Sequence, residues 1–268
     1  MSSSPEHRPA LAADLIDLER HPIDDAEYVD ACRRRLADSG ALVLEQFVHG
    51  DVVDAIVDSV RDREAEAFYA SSTHNVYLRP DDPSHDPQHP RNRPIVSSKG
   101  LIADDELPAD SALRAIYDDP SVRSFLARVV GVDQLHPYDD DVSSINVHFA
   151  PHGRELGWHF DNSAFAVTLL LQAPEGGGAF EYVPALRDAD AGDDGFDPVR
   201  EVLDGERSTK RLEFDPGSLV VFRGRDALHR VTPTEGDVTR ILVVFAFNEQ
   251  PGIRLSDSAL ETFYGRLG

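Results

Sequence analysis

From Ser144 to Asn248 the chain is written as about eight short apolar runs divided by turns: SINVHFA, GWHFD, AFAVTLLLQ, AFEYV, KRLEF, SLVVFRG, ALHRVTP and TRILVVFAFN. Runs this short, rich in β-branched and aromatic residues, are strands, and their close spacing points to a double-sheet jelly roll. An acidic insertion, LRDADAGDDGFDPVREVLDGERST, separates the fourth run from the fifth. Its Asp188, Asp190 and Asp194 do not make a calcium loop, because an EF-hand needs Gly at the sixth position and Glu at the twelfth, where Asp193 and Val199 stand.

The first third reads as helical. DDAEYVDACRRRLADSG places Tyr28, Ala31, Cys32 and Leu36 at helical spacing with Gly40 at the stop. ALVLEQFV follows as a short strand. GDVVDAIVDSVRDREAEAFYA then reads as a longer helix, with Asp51 as N-cap and the stripe Val53, Ile56, Val57, Val60 running on toward Phe68. Between Arg79 and Gly100, five prolines imply a long ordered loop of the kind that serves as a lid or binding loop. The expected fold class is mainly β with an α-helical N-terminal part: one domain over 1–268, with helical support to about 143, a double-stranded β-helix (jelly-roll) core over about 144–250, and a C-terminal helix over about 255–266.

Composition narrows the partners. A net charge of -23 opposes binding to a phosphate backbone, whose partners cluster Lys and Arg. The single cysteine, Cys32, has no intrachain partner and fits a reducing compartment. The opening MSSSPEHRPALAADLIDLER has no basic segment leading into an apolar core, and no apolar run reaches the roughly 18 residues of a membrane span. The expectation is a cytoplasmic protein, monomer or homodimer, that acts on a small molecule and binds neither nucleic acid nor membrane.

Two His-x-Asp tripeptides occur, so the pattern alone proves nothing. His49 to Asp51 falls at a turn before a helix; His159 to Asp161 lies in an extended segment, where residues i and i+2 share a face roughly 7 Å apart. Two ligands then point at one ion. A third must come from another strand, and His229 in ALHRVTP offers it, though alone it reads as a half-buried sheet histidine. Two imidazoles and one carboxylate leave a face of an octahedral ion open, an arrangement suited to non-haem Fe(II). Arg240 opens a strongly apolar strand and shares a face with Leu242, Val244 and Ala246. If that face lines the barrel, its guanidinium can grip a carboxylate; otherwise it is an edge arginine reaching solvent.

HFD, His229 and Arg240, in this order across predicted strands, resemble the Fe(II)/2-oxoglutarate-dependent oxygenase superfamily over roughly residues 144–248. The resemblance implies that His159, Asp161 and His229 hold Fe(II), that Arg240 pairs with the distal carboxylate of 2-oxoglutarate, and that O2 is the co-substrate. Many members carry Ser two residues after this arginine; Leu242 stands there, and Thr168 is the substitute hydroxyl considered. More narrowly, HFDNSAFAVTLLLQAPEGGGAFEYVP is similar to a group that hydroxylates or halogenates free amino acids. Its radical halogenases have Gly in place of the carboxylate, leaving room for chloride; Asp161 fills that place. The resemblance therefore implies hydroxylation of a free amino acid or derivative. Oxidative cyclisation or desaturation in a biosynthetic pathway is the alternative within the enzyme class, and a non-catalytic cupin- or lectin-like jelly roll the alternative outside it. Candidate substrate contacts are Arg93, preferred over Arg91 in the Pro-rich loop, with Asn146, Asn162 and Tyr264; Trp158 is expected on the opposite face of its strand, in the core.

Overall fold

The computed structural model describes residues 12–267. Helices α1 (Ala12–Leu15) and α2 (Ala26–Ser39) lead into β1 (Ala41–Leu44) and α3 (Gly50–Arg61), followed by β2 (Phe68–His74), β3 (Ile95–Ile102), α4 (Ala112–Asp118) and α5 (Pro120–Val130). The second half holds β4 (Ile145–Ala150), β5 (Leu156–His159), β6 (Ala166–Gln172), β7 (Gly176–Gly177), β8 (Phe180–Val183), α6 (Phe196–Leu203), β9 (Lys210–Leu212), β10 (Leu219–Phe222), β11 (Leu228–Val231), β12 (Thr234–Glu235), β13 (Arg240–Phe245) and α7 (Asp257–Tyr264). Among the described residues no helix is long and apolar enough to cross a membrane.

Local chemistry accounts for most boundaries. The Asp25 carboxylate accepts the Tyr28 N–H at 2.8 Å to start α2, and Gly40 ends it at φ 75°, a left-handed conformation that glycine adopts without steric cost. Helix α3 departs from the sequence expectation at both ends. It starts at Gly50 with His49 as a cap that makes no side-chain bond, so Asp51 lies in the first turn, where its charge complements the helix dipole. It stops at Arg61, and Phe68 opens β2 instead of extending the stripe. Strand β2 is mostly exposed and pairs with β3 from Phe68↔Leu101 to His74↔Ile95, so the N-terminal part supplies three strands besides its helices and the Pro-rich loop ends where β3 begins.

The strands form a curled antiparallel sheet in the order β1-β10-β6-β13-β4-β3-β5-β11-β8-β9, with β2 on the far side of β3. One face of its larger half packs on the helices: Phe149, Val167, Val221, Ile241 and Val243 are fully buried with Leu36, Ile56, Leu113 and Phe125. The smaller half is backed by the acidic insertion, where α6 contributes Val199 and Val202 to a second core containing Tyr77, Phe160 and Trp158. Trp158 thus lies in the core, as its strand alternation requires. The other faces of the two halves, carrying Arg240, Leu242 and Val244 on one side and His159 and His229 on the other, enclose a cavity.

The two halves meet along β3. After pairing Gly100 with Phe149 on β4, this strand crosses to meet β5 at Ser97↔Leu156. The approach is close enough that a Cβ on Gly157 would lie 2.3 Å from the Val96 carbonyl oxygen and 2.4 Å from Ile95 Cγ2. Only a residue without a side chain fits. Gly157→Ala is expected to destabilise the protein by about 1–3 kcal/mol, as overpacking does, measured by urea unfolding; unchanged stability would show the seam to be loose.

Candidate metal centre

Strands β5 and β11 pair antiparallel with His159 directly opposite His229, so both imidazoles leave the sheet on the same face with ring centroids 4.2 Å apart. Each ring is oriented by its own strand: Nδ1–H of His159 donates to the Gly157 carbonyl at 2.8 Å and Nδ1–H of His229 to that of Ala227 at 2.9 Å. Those bonds leave Nε2 of both rings with a lone pair directed into the cavity. Asp161 follows β5, fixed by its backbone N–H donating to the Gly224 carbonyl at 3.0 Å. Its Oδ1 lies 3.6 Å from His159 Nε2 and 3.5 Å from His229 Nε2.

Three electron-rich atoms facing one another, all within 4.8 Å, need a cation between them. The second carboxylate oxygen, Oδ2, is buried with no hydrogen-bond partner, a cost that a bound cation offsets. Burial works to raise the Asp161 pKa, but the two imidazoles beside it hold the carboxyl well below the usual carboxylate range. Burial, and after it the neighbouring His229, lowers His159, keeping that ring in the neutral form that binds metal. The donor set therefore fits a divalent cation with open coordination positions.

Further contacts hold the ligands. The His159 ring meets His74 edge-on at 6.4 Å. His74 is itself held by the Ser97 hydroxyl at 2.7 Å and by the Asn75 carbonyl at 3.0 Å. Arg187 donates Nε–H to the Arg225 carbonyl at 2.6 Å and Nη2–H to that of Asp161 at 3.4 Å, and its guanidinium lies 4.1 Å over the Phe160 ring. It ties the carboxylate-bearing segment to the turn before β11.

The cavity above the centre measures about 860 Å³. Arg240 is at its wall, 6% exposed and, among the described residues, without an ion pair or side-chain hydrogen bond; burial lowers its pKa to about 10, which leaves it charged at neutral pH. Helix α7 covers part of the opening with Ala259, Thr262 and Phe263, and the segment from Leu78 to Asp81 forms another wall.

The remaining sequence candidates divide. Asn162 is exposed at the rim and lines the cavity. Thr168 lines it too, but pairs with Val244, four residues and roughly 13 Å along β13 from Arg240. Both residues thus line one cavity from separate positions along its wall. Arg93 is not brought to the cavity lining: it reaches α6 and donates to the Asp204 carboxylate and the Leu203 carbonyl, neutralising one of the insertion's acids. Asn146 and Tyr264 are brought together, with each other. The tyrosine hydroxyl donates to Asn146 Oδ1 at 2.8 Å, and the asparagine amide donates to the Ser143 carbonyl, so the pair latches α7 onto β4 and neither lines the cavity.

Sequence reasoning missed His74, Arg187, Lys99 and His148. The last two face the cavity together. A signal for Lys99 existed: it and Lys210 are the only lysines among 26 Lys and Arg.

The halogenase D family matches the chain over residues 24–262. No curated protein matches it in sequence. Among solved structures, a 2OG-Fe(II) oxygenase family oxidoreductase from Burkholderia pseudomallei is similar at 14% identity and TM-score 0.54, covering 84% of this chain and 93% of its own. A Pseudomonas putida prolyl-4-hydroxylase follows at 16% identity and TM-score 0.52, covering 83% and 99%. The epimerase SnoN, solved with Fe3+, alpha ketoglutarate and nogalamycin RO, gives 12% identity and TM-score 0.56 over 83% and 84%. The fold is that of the 2OG-Fe(II) oxygenases.

A Cβ on Gly224 would lie 1.8 Å from Asp161 Oδ2. Gly224→Ala is therefore expected to displace the carboxylate and weaken Co(II) or Mn(II) binding by roughly 10- to 100-fold, the loss typical of disturbed ligand support, with little change in thermal stability; a titration showing unchanged affinity would remove Asp161 from the donor set.

Proposed function

The chain belongs to the halogenase D family, and from that premise we propose that it is an Fe(II)/2-oxoglutarate-dependent dioxygenase. On this reading it hydroxylates an unactivated C–H bond of a small polar substrate, a free amino acid or a derivative, working as a single-domain cytoplasmic monomer or homodimer. Asp161 is the observation that carries hydroxylation. In the halogenases this chain resembles, glycine at that position leaves a site for chloride; here a carboxylate completes the donor set, and Gly224 is shaped around it.

Bound at His159, Asp161 and His229, Fe(II) with 2-oxoglutarate supplies dioxygen activation and the oxidising power for C–H cleavage. Everything else falls to the protein. The two imidazoles present Nε2 in a fixed tautomer, and Arg240 offers an unpaired guanidinium to a carboxylate. Phe180, Phe222, Val220 and Val231 make a dry wall that keeps water from the reacting centre. At the mouth, Arg79, Asp81 and Asn162 place both charge signs and a neutral amide where the head group of an amino acid would enter. Crystallisation of a fold neighbour with Fe3+ and alpha ketoglutarate supports the same pairing here.

Anaerobic addition of Fe(II) and 2-oxoglutarate is expected to give a visible charge-transfer band. Admission of O2 with a panel of free amino acids should then yield one product heavier by a single oxygen atom, in step with succinate, detected by mass spectrometry. A chlorinated product from the unmutated protein in excess chloride would overturn the hydroxylation reading. Absence of the band would leave only a metal-binding jelly roll.

A further inference from the structure

Two cations share the wall of the cavity, Arg240 buried and Lys99 half-buried, and the oxygenase reading uses one of them. Lys99 stands where β3 leaves β4 and crosses to β5. Continuing the register from Gly100↔Phe149 by one residue places it beside Ala150, whose partner on the other side is Arg240. The small alanine thus separates two long cationic side chains whose strands lie roughly 10 Å apart, on the face that lines the cavity. Both side chains line the cavity and are long enough to span such a gap toward a single carboxylate.

Lys99 has little else to bind. Its Nζ donates to His148, 3.2 Å away at Nε2, on the same face of β4. Burial first, then the nearby Lys99 and Arg240 charges, hold His148 well below its ordinary range, so it is a neutral acceptor for one N–H. The other two N–H groups have no partner among the described residues. Asp161, the carboxylate that acts on Lys99, is committed to the imidazoles. The Lys99 pKa falls to about 8 through burial, with Asp161 opposing, which still leaves the ammonium charged at neutral pH. Two cations with unmet donors, in a cavity whose inner acid, Asp161, is already engaged and whose other acid, Asp81, is exposed at the mouth, call for an anionic ligand. A chain that builds all but two of its 26 Lys and Arg from arginine keeps a lysine here, where a compact ammonium fits beside an imidazole.

We propose that Lys99 is a second anchor for the carboxylate that Arg240 grips, so that the two form a clamp selective for a dicarboxylic 2-oxo acid over a monocarboxylic one. This rests on the oxygenase reading above, with 2-oxoglutarate as the dicarboxylate.

The test is calorimetric binding to the Mn(II)-loaded protein, which needs no turnover. The ligands are 2-oxoglutarate and 2-oxobutyrate, which keeps the 2-oxo acid head and lacks the distal carboxylate. Lys99→Met is expected to weaken 2-oxoglutarate binding roughly 10- to 100-fold, the loss of a charged hydrogen bond, and to leave 2-oxobutyrate unchanged. Arg240→Met should do the same, and the double variant should lose far less than the product of the two, because the anchors share one group. Lys99→Arg should restore much of the preference, and Lys99→Gln serves as the neutral variant should Lys99→Met fail to fold. Equal losses for both ligands, an unchanged 2-oxoglutarate affinity, or a loss confined to the amino-acid substrate would each overturn the clamp. Failure of the unmutated protein to bind 2-oxoglutarate would instead overturn the oxygenase reading, and the clamp with it.

Discussion

The pairing of His159 with His229 across β5 and β11 is the constraint on which the site depends. A shift of one residue in that ladder would send one imidazole into the second core beside Trp158 and leave the carboxylate facing a single nitrogen. The register is held from outside the centre. Leu228 to Val231 also pair with β8, and the β3–β5 seam lets no side chain intervene at Gly157. The ligands are thus positioned by strand pairing, with little demand on their own rotamers beyond the two carbonyl bonds at Nδ1.

Electrostatically, the cavity joins two regions of opposite need. At the centre, lone pairs converge and require a cation; along the opposite wall, Arg240 and Lys99 require an anion. Neither region can satisfy the other, because Asp161 is held against the imidazoles. The protein bears the cost of burying all of these groups, which is the usual relation between a prepared site and folding stability. The surplus of acidic residues elsewhere is a solvated surface and takes no part in this balance, apart from local ties such as Arg93 to Asp204.

Those distinctions explain what could be read from the sequence. The jelly-roll strands were legible because each alternates or runs apolar over four to nine residues, and His159, Asp161, His229 and Arg240 were legible because strand period fixes the face of each. The β2–β3 hairpin was not, since its first strand is exposed on both faces and its second follows a proline-rich segment that reads as loop. Missing β3 hid Lys99. Asn146 and Tyr264 are polar residues in the right neighbourhood, but no local pattern reveals that a hydroxyl and an amide 118 residues apart satisfy each other. Arg93 illustrates the same limit: its ion pair depends on where the acidic insertion folds, which is set by the packing of Val199 and Val202.

Gly224 makes the metal centre asymmetric in its tolerance of change. With the Asp161 carboxylate already against the peptide backbone there, one more methylene at position 161 has nowhere to go, whereas a shorter residue leaves a gap directly beside the cation. Drift at this position can therefore run only toward smaller side chains. Each such step opens a berth for a diffusible anion beside the two imidazoles without disturbing either histidine.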